Sequence, residues 1–174
     1  PTGTGKLVSV AKVNVAEGSL IEALNIFGEN TGSVNIESKS EGCVLVDGYR
    51  YVDKPLGGNR AYSIVDVNET GRTNIGGRAK TKIHGKNVNI RARSEMDVRS
   101  ISYAYGNTVL GIYYPNATVN LSIDMRTILR AVDVSAYDVL NISAYLLDTY
   151  VLGHCTSHKD WATCINSPSV NIEG

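Results

Sequence analysis

The chain has 174 residues, with 17 Lys and Arg balanced by 17 Asp and Glu. Its length suits one domain with a proper core. Charge balance argues against a dedicated nucleic-acid surface, which needs positive charge gathered on one face. No run approaches the roughly eighteen apolar residues of a membrane-crossing helix, so no membrane span is expected. Val, Ile and Tyr are abundant, Gly is frequent and Pro scarce, while Phe27 and Trp161 are the only residues of their kinds. That composition predicts a mostly-β domain with at most one or two short helices.

The chain opens PTGTGK, close to a phosphate-binding loop but without its first Gly, its preceding strand or a hydroxyl after the Lys. Leu7 follows Lys6, and Leu7-Val8-Ser9-Val10 and Val13-Asn14-Val15 are β-branched and alternating. The stretch therefore reads as a flexible Gly/Thr lead into an apolar strand. Pro1 in place of Met fits either a removed secretion signal or a trimmed boundary.

Further strands are predicted at Ser33–Ser38, Cys43–Val52, Ala61–Val67, Thr73–Ile75, Ala79–Ile83, Asn87–Ala92, Val98–Tyr105, Thr108–Tyr113, Ala117–Ile123 and Ser169–Ile172. Between them Glu41-Gly42, Asp47-Gly48, Gly57-Gly58-Asn59, Glu69-Thr70-Gly71, Gly76-Gly77, His84-Gly85, Gly106-Asn107 and Pro115-Asn116 read as turns. Such spacing predicts a β-sandwich or jelly roll. Ser19–Phe27 and Arg126–Val132 are ambiguous between helix and strand, and the β-branched, Tyr-rich Asp138–Leu152 favours strand. No internal repeat is evident. The basic stretch Arg72–Arg99 alternates with polar and apolar residues and reads as a solvated strand face.

No Ser stands in a nucleophile elbow and no carboxylate pair is marked out, so no catalytic residue is assigned and an enzyme is not expected. The one concentrated constellation is HCTSHKDWATC. His154, Cys155, His158 and Cys164 form a chemically legitimate zinc set, with Asp160 behind it, but the spacing fits no standard finger. A disulfide between Cys155 and Cys164, packed by Trp161, is the preferred reading, and no metal or cofactor is expected. Cys43, beside Val44-Leu45-Val46, reads as a buried free thiol, with pairing to a late Cys or another subunit left open. Asn68, Asn116, Asn120 and Asn141 stand in Asn-x-Ser/Thr sequons, more than composition supplies by chance, and predict N-glycosylation; Asn141 lies in a run expected to be buried.

An apolar strand behind a flexible lead, next to a β-rich body with no active-site signature, suggests a strand offered to a neighbouring molecule. Because such exchange is head-to-tail, it generates a filament. On LVSVAKVNVAEG, NIFGENTGSVNIES and the sequon-bearing strands, the chain resembles secreted β-sandwich fibre subunits of the TasA/camelysin type, with the archaeal bundling-pilus, thread and cannula proteins. The resemblance covers about the first forty residues, and the HCTSHKDWATC loop is not a feature of its bacterial side. It implies residues 1–15 as a protruding donor strand (Leu7, Val8, Val10, Val13, Val15) on a single β-sandwich of residues 16–174. A bulge or change of face is expected at Ala11-Lys12. The implied role is an extracellular homopolymer, open to N-glycosylation and bundling, serving cell adhesion or a biofilm matrix. Two rivals share this composition: a carbohydrate-binding adhesin using Tyr49, Tyr51, Tyr103, Tyr105, Tyr113 and Tyr114 as stacking platforms, and a viral coat or fibre protein.

Overall fold

A computed structural model describes residues 2–25, 27–29, 31–53, 56–107, 111–158, 163–164 and 167–173, with only the backbone of His158, Thr163 and Cys164. The described chain is almost entirely strand: β1 (Thr2–Val15), β2 (Leu20–Glu22), β3 (Ser33–Val52), β4 (Asn59–Gly106), β5 (Ile112–Leu146), β6 (Tyr150–His158), β7 (Thr163–Cys164) and β8 (Ser167–Glu173). Every pairing among them is parallel. Thr2 lies beside Tyr62, Tyr62 beside Asn116 and Asn116 beside Ser167, so the chain returns to the same place after each circuit. The second circuit repeats in the third at its other positions too, with Asn89 beside Asn141 and Asp97 beside Tyr150. The fold is a β-solenoid: three stacked coils, starting at Thr2, Asn59 and Ile112, and the beginning of a fourth.

Each coil is flattened. In the second, the outward leg and the return leg of β4 face each other across the core, with Ser102 Oγ donating to the Ala61 carbonyl (2.9 Å) and Ser63 Oγ meeting Ser100 Oγ (2.8 Å). Alternate residues of both legs point inward, which is why burial alternates along β4. One apolar cluster joins Val34, Ile36, Ile75, Ile83, Val88 and Ile90, and a second joins Val65, Val67, Met96, Val98, Val119 and Leu121. Near the link between coils the walls close to a thin edge of buried Ala61, Ser63, Ser100, Ser102 and Ala104. Burying each Val or Ile contributes about 1.5–3 kcal/mol. These clusters, and not the surface, hold the two walls together.

The mostly-β expectation holds, and the described residues contain no helix. Ser19–Phe27 contributes the short strand β2, Arg126–Val132 runs within β5, and the Asp138–Leu152 run is strand apart from a break around Asp148. The jelly-roll connectivity is corrected. A jelly roll pairs its strands antiparallel, whereas here two walls pack face to face but each wall is built of parallel strands from successive coils. Alternation of period two is common to both arrangements, so it did not separate them.

Several expected turns are also corrected, because Gly42, Gly48 and Gly71 lie inside strands β3 and β4. Each faces inward where the opposite leg or the next coil comes close. A Cβ on Gly42 would lie 2.8 Å from a Leu7 methyl, and one on Gly48 would press into the Tyr62 backbone. These glycines are sites of close approach and not of chain reversal. True corners carry positive φ at Gly18 (73°), Gly76 (80°) and Ala131 (49°), the far tips of the three coils. Gly48→Ala is expected to lower stability by about 1–3 kcal/mol through overpacking, while Gly58→Ala, which meets only ordinary contact at 3.4 Å, changes it by less than about 0.5 kcal/mol. Urea unfolding of the two variants distinguishes close approach from turn chemistry.

A polar layer crosses the core between the two apolar clusters. Thr73 Oγ1 donates to the Arg91 carbonyl (2.7 Å) and contacts Ser38 Oγ at 3.0 Å. Glu69, only 2% exposed, accepts a hydrogen bond from Ser40 Oγ. Burial pushes its carboxyl above the ordinary 4.5, with Ser9 and Ser94 hydroxyls opposing the shift. A carboxyl raised on folding subtracts stability once pH exceeds its unfolded value, so this group favours the fold near pH 4 and penalises it at neutrality. Glu69→Gln, which keeps the acceptor without the charge, is expected to raise the unfolding midpoint at pH 7 and to lose that advantage as pH falls to about 4; equal midpoints at both pH values count against it.

Candidate functional site

The residues singled out as a donor strand do not protrude. β1 pairs with β4 without interruption from Thr2 beside Tyr62 to Val15 beside Ile75, so the bulge expected at Ala11-Lys12 is absent. Leu7, Val13 and Val15 turn inward onto the core clusters of their own chain. Val8 and Val10 fall on the other face and are 59% and 56% exposed. A strand has two edges, and β4 uses only one of those of β1. Among the described residues the other edge of β1, and likewise those of β2 and β3, carries no partner strand.

The opposite end of the stack is open too. β5 pairs with β4 on one side and takes β7 and β8 on the other only over Ile112–Tyr113 and Asn116–Ser122. Beyond Ser122, β5 and then β6 carry no further strand on that side among the described residues, and inward-facing Leu140, Ile142 and Leu146 stay 50%, 44% and 39% exposed. Their register partners in the second coil, Val88, Ile90 and Ser94, are fully buried. The difference is that strands lie on both sides of these second-coil residues, whereas among the described residues Leu140, Ile142 and Leu146 have a strand on one side.

Columns of polar side chains run along the outside. Asn171 Nδ2 donates to Asn120 Oδ1 (2.9 Å), Asn120 Nδ2 to Asp66 Oδ1 (2.8 Å), Asn89 Nδ2 to Asn35 Oδ1 (2.9 Å) and Asn74 Nδ2 to Asn14 Oδ1 (2.9 Å). In every case the later coil donates to the earlier one. The ladders therefore have a direction. The signal missed in the sequence is their motif: Val34-Asn35-Ile36, Val88-Asn89-Ile90 and Leu140-Asn141-Ile142 occupy one place in successive coils.

Two of the four sequon asparagines are engaged by side chains. Asn120 lies mid-ladder, and Asn116 Oδ1 accepts from Thr118 Oγ1 at 3.0 Å. Asn68 is exposed, and so is Asn141, against the expectation that it is buried. Asn120→Asp replaces a donor with a carboxylate beside Asp66, so a loss of about 1 kcal/mol is expected at pH 7. Salt screens the repulsion and restores part of it, and thermal melts at rising ionic strength read the effect.

The cysteine and histidine constellation is divided by the strand. His154 points outward, its Nε2 2.8 Å from Thr156 Oγ1, while Cys155 points inward and is buried. Neighbours on a strand face opposite sides. Cys155 is a free thiol, held above the usual thiol range by burial, against which backbone groups of Ser167 and Ala117 act. The side chains of His158 and Cys164, with Asp160 and Trp161, lie outside the described residues. Cys43, expected to be buried, is exposed with a free thiol. No cluster of three metal-capable side chains occurs among the described residues.

The basic stretch pairs with acids: Arg72 with Asp124, Arg93 with Glu37 and Glu95, and Arg99 with Asp97 at 2.6 Å. Of the platform tyrosines, Tyr113 is fully buried, whereas Tyr103 stacks on Tyr105 at 5.9 Å and Tyr49 leans on Tyr105 at 5.8 Å, forming one outer patch. Tyr114 instead sits with Arg60, whose guanidinium lies 5.5 Å from its ring centre. No helix among the described residues is long and apolar enough to cross a membrane.

Comparison of the chain with protein-family models, with curated proteins and with solved structures finds no match. The likeness to TasA/camelysin-type subunits therefore rests on the sequence segments alone.

Proposed function

We propose that this chain is a structural subunit of an extracellular filament, assembled head-to-tail by stacking one solenoid on the next. The observation that carries the reading is that, among the described residues, the outer edges of β1 and β3 and the edge of β5 beyond Ser122 carry no partner strand, with inward-facing Leu140, Ile142 and Leu146 part-exposed along the latter. Long unpaired parallel edges are templates for further strands. An end-on contact between unlike ends is heterologous and does not close, so it propagates. The role is assembly and not turnover, and a place in cell adhesion or a biofilm matrix follows from the filament form.

This replaces an inserted extension with edge-to-edge pairing, while keeping parallel main-chain hydrogen bonds as the source of affinity. The outer tyrosines, exposed Tyr49 and Tyr51 with half-buried Tyr103 and Tyr105, support a second reading, a carbohydrate-binding adhesin, since aromatic faces stack on sugar rings. Saturable glycan binding by a protein that stays monomeric would favour it.

Leu140→Lys together with Ile142→Lys places charges on the open end without entering the closed part of the core. The pair is expected to leave a folded monomer by circular dichroism and to abolish filaments in negative-stain micrographs. Wild-type filaments should give the 4.7–4.8 Å repeat of stacked strands in fibre diffraction. Normal filaments from the double variant would remove the stacking surface from consideration.

A further inference from the structure

We infer that a cleft on the flank of the solenoid, between a loop of the first coil and Tyr137 of the third, binds a neutral sugar unit of a glycan chain. The inference stands apart from the filament reading, and its residues are not those of the outer tyrosine patch. It begins from register. Glu22 lies beside His84 and His84 beside Ser135, while Ser33 lies beside Asn87 and Asn87 beside Val139. Between these two shared places the first coil has ten residues (23–32), the second only Gly85 and Lys86, and the third three (136–138). The first and third coils therefore bulge at this corner while the second is drawn tight, which leaves a groove floored by Gly85-Lys86. Insertions in stacked coils gather as loops on one face, often the binding face.

The loop is held in place by its own hydrogen bonds. Gly32 N–H donates to the Ala23 carbonyl (3.1 Å) and closes it, and Ala23 N–H to the His84 carbonyl (3.1 Å) and Lys86 N–H to the Gly32 carbonyl (2.8 Å) tie it to the second coil. Asn25 organises its interior. Asn25 Oδ1 accepts from the N–H groups of Phe27 and Glu29 (both 2.9 Å), and its Nδ2 donates to Glu29 Oε2 (2.8 Å). Glu29 and Thr31 are thereby presented in a fixed arrangement, so a ligand meets them with little ordering cost.

The resulting cleft has a volume of about 750 Å³, with Glu29 and Thr31 on one wall, Lys86 on the floor and Ser135 and Tyr137 on the other wall. That volume falls within the range of small-ligand sites. Tyr137 is 89% exposed, so its ring is left uncovered by the protein. Among the described residues Lys86 has no acidic partner and Glu29 no basic one, unlike the paired Arg72, Arg93 and Arg99. A pyranose matches this set. Its apolar face stacks on an aromatic ring, and its hydroxyls both donate and accept. Lys86 donates to them, Glu29 accepts from them, and the Thr31 and Ser135 hydroxyls do either. An acidic sugar would set its charge against Glu29 and an amino sugar against Lys86, whereas a neutral unit meets both. Because Glu29, Thr31 and Lys86 are all exposed, the cleft is open along its outer side and a chain continues beyond the bound unit.

The test screens the full chain on an array of β-glucan, mannan, galactan and chitin oligosaccharides beside sialylated and sulfated glycans. The neutral oligosaccharide bound most strongly is then titrated in solution by calorimetry, with free phenylalanine as a zwitterionic competitor for Lys86 and Glu29. Tyr137→Ala and Lys86→Ala are each expected to weaken binding about tenfold. Tyr137→Phe, which keeps the ring face, should hold it within about twofold, and Tyr49→Ala in the outer patch should leave it unchanged. These side chains are exposed, so the thermal melts of all four variants are expected to coincide with that of the parent. No binding to any neutral glycan, or binding lost in Tyr49→Ala but kept in Tyr137→Ala, would overturn the site. Tighter binding to the sialylated or sulfated glycans, or to free phenylalanine, would overturn the neutral sugar as its ligand.

Discussion

Parallel pairing in register is the constraint from which the rest of this molecule follows. It stacks each residue on the one that holds the same place in the next coil, at a spacing of about 4.8 Å. Like side chains then meet like. For asparagine this is favourable, because one amide both donates and accepts. For charges it is costly, and the columns show how the cost is met. Lys12, Arg72 and Arg126 share one column, and Asp124 binds both arginines, with its carboxyl held below the usual range chiefly by the hydrogen bond from Arg72. Lys39 is likewise set between Glu41 and Glu95. Exposed pairs of this kind add little stability individually. Their effect is on register, since a slip by one residue moves Arg72 away from Asp124 and turns the apolar face out.

Within that frame, side-chain size determines the coil's cross-section. Where Val and Ile fill both legs, the walls stand apart around the two apolar clusters. Where Ala, Ser and Gly replace them, the walls close until Gly3 and Gly5 face Val46 and the Asp47 backbone. The PTGTGK opening that resembles a phosphate loop is therefore half of a tight interior contact. Its glycines are explained by the wall opposite and not by a ligand.

Strand content was legible because alternation in Asn59–Ile75 and Val88–Gly106 reports local backbone geometry, and local geometry is what pattern carries. Strand direction was not. Val65 alternates with Asp66 in the same way whether its neighbour runs parallel or antiparallel, and the choice is set by residues some fifty positions away. Recurring triplets with a central Asn, such as Val34-Asn35-Ile36 with Val88-Asn89-Ile90 and Val119-Asn120-Leu121 with Val170-Asn171-Ile172, are local traces of that long-range order; the residues between the copies differ too much for the repeat to stand out. Gly42, Gly48 and Gly71 misled for a related reason, since a glycine demanded by φ and one demanded by a neighbour look alike in sequence. Turn signals at Gly57-Gly58 and Gly106-Asn107 were sound, because they bound strands at the links between coils.

The apolar ribbon at the start of the chain joins both levels. Its alternation marked a strand in need of a partner, and its own second coil meets that need along one edge. A backbone hydrogen-bonded on one side still carries donors and acceptors on the other, so folding does not exhaust the ribbon's capacity to pair. The directed asparagine ladders make the two ends of the stack chemically unlike, one offering amide donors and the other accepting oxygens. Unlike ends favour head-to-tail contact over the symmetric pairing that would close a dimer. In the filament proposed for this chain, polarity of the chain would become polarity of the assembly, with one coil geometry serving inside the molecule and between molecules.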